Sequence, residues 1–95
     1  MKTESDLFDY LKKHVYPDLL SSGYDVFAGT DCASYESKHL IELKCRGAHY
    51  KMLLIEKAKF DVLVDNAERT GFEAWYINST PMGIYRWLYA RKEGQ

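Results

Sequence analysis

A chain of 95 residues with 46% hydrophobic and 15% aromatic content is sufficient for one small packed domain spanning 1–95 and too apolar for a disordered segment. Its formal net charge of −1 excludes the overall basic field of a non-specific nucleic-acid binder, so any affinity for phosphate must be local. Charge is in fact uneven: Lys44, Arg46, Lys51, Lys57 and Lys59, with His49 among them, face a single acid, Glu56, over the same stretch.

The opening MKTESDLFDY has no apolar signal region, and no apolar run approaches the roughly 20 residues of a membrane span. The expectation is a soluble cytoplasmic protein with no membrane partner. Cys32 and Cys45 lack a second Cys or His pair at zinc-finger spacing and are expected as reduced thiols.

Thr3 to Leu20 reads as a helix. Leu7, Leu11, His14 and Val15 fall on one face, Thr3 or Ser5 can cap the start, and Pro17 bends or restarts it. Tyr24–Cys32 and His39–Arg46 read as two strands of a hairpin joined through the polar segment Ala33–Lys38. The stretch LLIEKAKFDVLVDNAERTG carries an apolar stripe, Phe60, Leu63, Val64 and Ala67, and reads as a helix with Gly71 as its C-cap. EAWYINS and GIYRWLY, separated by TPMG, form a second hairpin. The order α-β-β-α-β-β predicts an α/β (α+β) sandwich around a four-stranded mixed sheet flanked by helices.

The stretch LIELKCRG within the second strand alternates apolar Ile41, Leu43 and Cys45 with charged Glu42, Lys44 and Arg46. If the first hairpin turns between Glu36 and Ser37, Asp31 stands opposite Glu42, with Lys44 on the same face and Thr30, Ala28, Ile41, Leu43 and Cys45 on the other. Two opposed carboxylates repel unless a cation lies between them. Mg²⁺ takes one or two carboxylates and completes its octahedron with water and phosphate oxygens, and a nearby ammonium can assist an attacking water or offset charge on a phosphate. Carboxylate, carboxylate and lysine around a hard metal suffice for metal-assisted phosphodiester hydrolysis. The competing interpretation is an ordinary solvated strand face.

The sequence TDCASYESKHLIELKCR resembles the core motif of the PD-(D/E)XK nucleases, with Asp31 as the motif Asp and Glu42 and Lys44 as the E-x-K pair. The resemblance implies a restriction-endonuclease-like core, Mg²⁺ or Mn²⁺ as cofactor, Asp31, Glu42 and Lys44 as catalytic residues, and DNA or RNA as substrate. Thr30 stands where the family carries Pro. Many members add an acid from the first helix; Glu4, Asp6 and Asp9 compete for that role, and Glu4, at helical spacing from Leu7 and Leu11, fits best. Arg46, Lys51 and Lys57 are the expected contacts to a nucleic-acid backbone.

The expected function is a divalent-metal-dependent endonuclease or exonuclease acting on DNA, including branched or structured DNA, of a compact kind that occurs in phage. Its small size implies a homodimer or action within a larger complex, and GIYRWLY is the expected edge strand for self-association. The alternative is a catalytically inactive module on the same fold that binds nucleic acid or protein.

Overall fold

The computed structural model describes residues 3–21, 30–47 and 57–90. Its elements are α1 (Glu4–His14), β1 (Leu20–Ser21), β2 (Cys32–Ser34), β3 (His39–Cys45), α2 (Lys57–Thr70), β4 (Glu73–Thr80) and β5 (Gly83–Ala90). They form a small α+β domain around a five-stranded mixed sheet in the order β1-β2-β3-β4-β5. β1, β2 and β3 run antiparallel in turn, α2 crosses over to place β4 parallel to β3, and β5 returns antiparallel at the edge.

α1 starts on a capping box. Thr3 Oγ1 accepts from the Asp6 N–H, and the Asp6 carboxylate accepts from the Thr3 N–H. The helix ends at His14 rather than continuing to Leu20, because Pro17 cannot donate to a preceding turn and restricts the residue before it. Lys12 Nζ holds the descending chain by donating to the carbonyls of Pro17 and Leu19, at 3.2 and 3.0 Å. The early stop changes the inward face: Tyr16 and Leu19 enter the core, while His14 and Val15 are exposed.

Odd-numbered residues of β3, Ile41 and Leu43, pack with Cys32, Ile77 and the α1-side residues Leu7, Leu11, Tyr16 and Leu19. Leu40 packs on the opposite face with Ala33, Ala74 and the α2 residues Leu63 and Ala67. Burying these side chains on both faces contributes on the order of 1.5–3 kcal/mol for each large one. α2 ends as the sequence predicts, with Gly71 at φ +75° and its N–H bonded to the Ala67 carbonyl.

The register of the first hairpin agrees with the expected one: Cys32 stands against Ile41, Ala33 against Leu40 and Ser34 against His39. Strand β2 nevertheless runs further than expected, so Ala33 and Ser34 are buried in the sheet and the turn narrows to 35–38. Asp18 fixes this turn by accepting from Ser34 Oγ at 2.7 Å and from the Glu36 N–H at 3.0 Å. Burial acts to raise the Asp18 pKa, but these bonds to its ionised form outweigh it and hold the carboxyl below its ordinary value. The expected strand segment before Thr30 and the helical stretch before Lys57 lie outside the described residues. The second hairpin forms through Pro81 and Met82, and the fifth strand, β1, is a two-residue addition beside β2.

Candidate active site

Thr30 and Asp31 lead into β2, and α2 holds the first of them in place: Asn66 Nδ2 donates to the buried Thr30 Oγ1 at 3.3 Å. Thr30 was expected on the face of Ile41 and Leu43, whereas this bond turns it toward α2. Strand geometry begins only at Cys32, so the alternation of faces does not extend back to Thr30. Asn66 is itself held by a bond from the Arg69 guanidinium.

Asp31 then occupies the place where the β2 backbone would otherwise continue the ladder. Its Oδ2 accepts the Leu43 N–H at 2.8 Å. That bond points the carboxylate at β3 next to Glu42, the residue that would stand opposite Asp31 if the Cys32–Ile41 register continued one step. Glu42 is 4% exposed. Its pKa is pushed up to about 7, first by burial and then by the Asp31 charge; the Lys59 ammonium opposes this, while a hydrogen bond with Asp31 and the Glu4 charge add to it. The Asp31 carboxylate thus lies near enough to Glu42 to disfavour its ionisation.

Lys59 reaches Glu42 from the first turn of α2, with Nζ 3.7 Å from Oε2. The sequence reading did not include it among the site residues, yet the signal was present: Lys59 lies four residues before Leu63, which is fully buried against the sheet, and so shares its face. Lys57, an expected nucleic-acid contact, is exposed and pairs with Asp61 along the helix at 2.6 Å.

Lys44 is half-buried on the same side of β3 as Glu42, beside Asn78 of β4. Arg46 follows the strand, its N–H bonded to the Ser79 carbonyl at 2.8 Å. Lys51 lies outside the described residues. Of the three first-helix acids, Asp6 serves the α1 cap, and Asp9 and Glu4 are both exposed; only the charge of Glu4 contributes, weakly, to raising the Glu42 pKa.

Two buried polar atoms close to this cluster have no hydrogen-bond partner among the described residues, Asn78 Oδ1 and Tyr89 Oη. Burial, followed by the charges of Tyr76 and Glu42, raises the Tyr89 pKa. No three His, Cys, Asp or Glu side chains among the described residues group tightly enough to hold an ion. The Asp31–Glu42 pair still fits a hard divalent cation in its donor chemistry, because oxygen is the preferred ligand and Mg²⁺ binds through one or two carboxylates.

On the opposite face lies a separate polar chain. Tyr16 Oη bonds His39 Nδ1 at 2.8 Å, and His39 Nε2 meets Glu73 Oε1 at 2.8 Å. Cys32 and Cys45 are both reduced thiols, as expected. Among the described residues no helix is long and apolar enough to cross a membrane.

Comparison with protein-family models, with curated proteins and with solved structures returns no match.

Proposed function

We propose that this chain is a divalent-metal-dependent nuclease that hydrolyses phosphodiester bonds in DNA. The observation that carries this reading is the opposition of Asp31 and the buried Glu42, whose pKa is pushed up to about 7 by burial and the neighbouring charge. A solvated strand face would not bury one carboxylate beside another. The element order supports the same reading: a hairpin carrying Asp, Glu and Lys, then a helical crossover to a parallel strand, agrees with the restriction-endonuclease-like core that the resemblance implies.

Asp31 and Glu42 would hold Mg²⁺ or Mn²⁺, with Glu4 adding negative charge from α1. When bound, such an ion supplies a Lewis acid for a phosphate oxygen and a more acidic water. Each protein group has its own task. The Leu43 N–H fixes one Asp31 oxygen and so orients that carboxylate. Lys59 favours the ionised form of Glu42 in the absence of metal. Lys44 presents an ammonium to an attacking water or to charge developing on the phosphate.

The test is incubation of purified protein with branched, single-stranded and duplex DNA in Mg²⁺ or Mn²⁺, beside Glu42→Ala and Lys44→Ala. Cleavage by wild type that is lost in both variants is the expected result. Cleavage surviving in both would remove the site from the reaction, and no cleavage of any substrate by wild type would favour the inactive binding module.

A further inference from the structure

The sheet face that carries Glu42 and Lys44 continues past β3. Parallel pairing sets Glu42 beside Tyr76 and Lys44 beside Asn78, and antiparallel pairing sets Tyr76 beside Trp87 and Asn78 beside Tyr85. Two rows therefore cross the sheet, Glu42–Tyr76–Trp87 and Lys44–Asn78–Tyr85. Adjacent strands lie about 4.8 Å apart, so the β5 backbone that carries the rings runs about 10 Å from the β3 backbone that carries Glu42 and Lys44.

Tyr76 and Asn78 are buried in the middle of these rows, whereas Tyr85 is 37% exposed and Trp87 is half-buried. Their ring centroids are 6.4 Å apart and the planes tilt by 34°. Tyr85 is held before any ligand arrives: its Oη donates to the Met82 carbonyl at 3.3 Å, and its ring lies over Gly83, where an added Cβ would meet it at 3.8 Å. Gly83, at φ +138°, has a backbone conformation that side-chain-bearing residues rarely adopt. The intervening β5 residues point the other way, where Ile84 and Arg86 line a cavity of about 370 Å³ against Tyr10, Leu11, Val15, Tyr16 and Ile77.

We propose that Tyr85 and Trp87 form a stacking platform for an unpaired nucleobase next to the scissile phosphate, which makes single-stranded DNA the preferred substrate. The placement of that phosphate rests on the nuclease reading above; the platform itself rests on the rings. A single strand exposes its base faces and stacks readily on aromatic side chains. Duplex bases stack on one another and must first be unstacked to use such a surface. Lys44 lies two residues along β3 from Glu42, at the end of the row that ends in Tyr85, and Lys59 Nζ stands 3.7 Å from the Glu42 carboxylate; their charge complements the phosphates of a strand crossing β3 and β4. A ring fixed in advance binds with less loss of conformational freedom.

The experiment uses the full chain carrying Trp75→Phe, which leaves Trp87 as the only indole, with oligodeoxythymidylate and a blunt DNA duplex as probes in Ca²⁺. The expected result is quenching of Trp87 fluorescence by the oligothymidylate and weaker binding of the duplex. Tyr85→Ala should lower single-strand affinity on the order of ten-fold, the usual scale for losing one stacked base. Tyr85→Phe should preserve it, and Ile84→Ala, on the other face, should leave it unchanged. Circular dichroism checks folding, and Tyr85→Leu replaces Tyr85→Ala if the latter does not fold. Equal affinity for duplex, or affinity unaffected by Tyr85→Ala, overturns the platform. Cleavage that ignores both rings overturns it while leaving the nuclease reading intact. Ring-dependent single-strand binding with no cleavage in Mg²⁺ or Mn²⁺ upholds the platform and overturns the nuclease reading.

Discussion

Asp31 accepts the Leu43 N–H at 2.8 Å, so a carboxylate performs the work of a backbone acceptor one position before β2 begins. The side chain thus has a structural duty and a chemical one, and two substitutions separate them. Asp31→Asn retains an oxygen acceptor and removes the charge facing Glu42; it should fold at least as stably as wild type and bind divalent metal poorly. Asp31→Ala loses both and should cost about 1–3 kcal/mol, the usual effect of leaving a buried donor unsatisfied. Chemical denaturation and calorimetric Mg²⁺ titration of the two variants check this.

Glu42 makes stability depend on pH in a direction unusual for a carboxylate. Its folded pKa of about 7 lies above its ordinary 4.5, so between these values the native state binds the extra proton. Stability is therefore expected to fall as pH rises through that window and to stay low above it. The charge of Asp31, and more weakly that of Glu4, opposes the ionisation of Glu42, and Lys59 favours it. At roughly 1.4 kcal/mol per pH unit, the loss is on the order of 3 kcal/mol. Glu42→Gln should flatten this profile, and Mg²⁺ should stabilise wild type at pH 8 but not the variant. Thermal melts from pH 4.5 to 8, with EDTA or Mg²⁺, provide the test.

Asp18 titrates in the opposite sense. Its folded pKa is depressed by the bonds from Ser34 and Glu36 that outweigh burial, so its contribution is present above the ordinary value of 3.8 and is lost as pH falls through the folded one. Asp18→Ala should lower stability by about 1–3 kcal/mol at neutral pH, the scale of hydrogen bonds to a charged group. The deficit should shrink in acid, as followed by urea midpoints at pH 7 and pH 3.

The Tyr16–His39–Glu73 chain lies on the α1 side of the sheet, away from the face of Glu42. Tyr16→Phe removes one buried hydrogen bond and should cost about 1 kcal/mol with no change in DNA cleavage. Parallel loss of cleavage and stability would contradict the separation of the two faces.

Much of this arrangement was legible in the residue pattern. The period-two alternation of β3 and a short turn suffice to set Asp31 against Glu42, because an antiparallel register is fixed by its midpoint. The second hairpin, α2 and its Gly71 cap follow from equally local signals. The length of α1 was not legible, since Pro17 permits either a bend or a stop, and Lys12 closing on the Pro17 and Leu19 carbonyls accompanies the stop. Ala33 and Ser34 resembled a loop because small polar residues favour turns, but the Asp18 bonds draw Ser34 into the sheet. A basic run does not by itself say which lysine meets Glu42; the position of Lys59 one helical turn before the buried Leu63 does, while Lys57 pairs with Asp61.

The most direct measurement is the carboxyl ¹³C titration of Glu42 by NMR, with and without Mg²⁺. A metal-holding pair requires a midpoint near pH 7 in EDTA that drops in Mg²⁺ toward the ordinary Glu range of about 4.3, with matching shifts at Asp31. A midpoint indifferent to Mg²⁺ would contradict a metal site between Asp31 and Glu42.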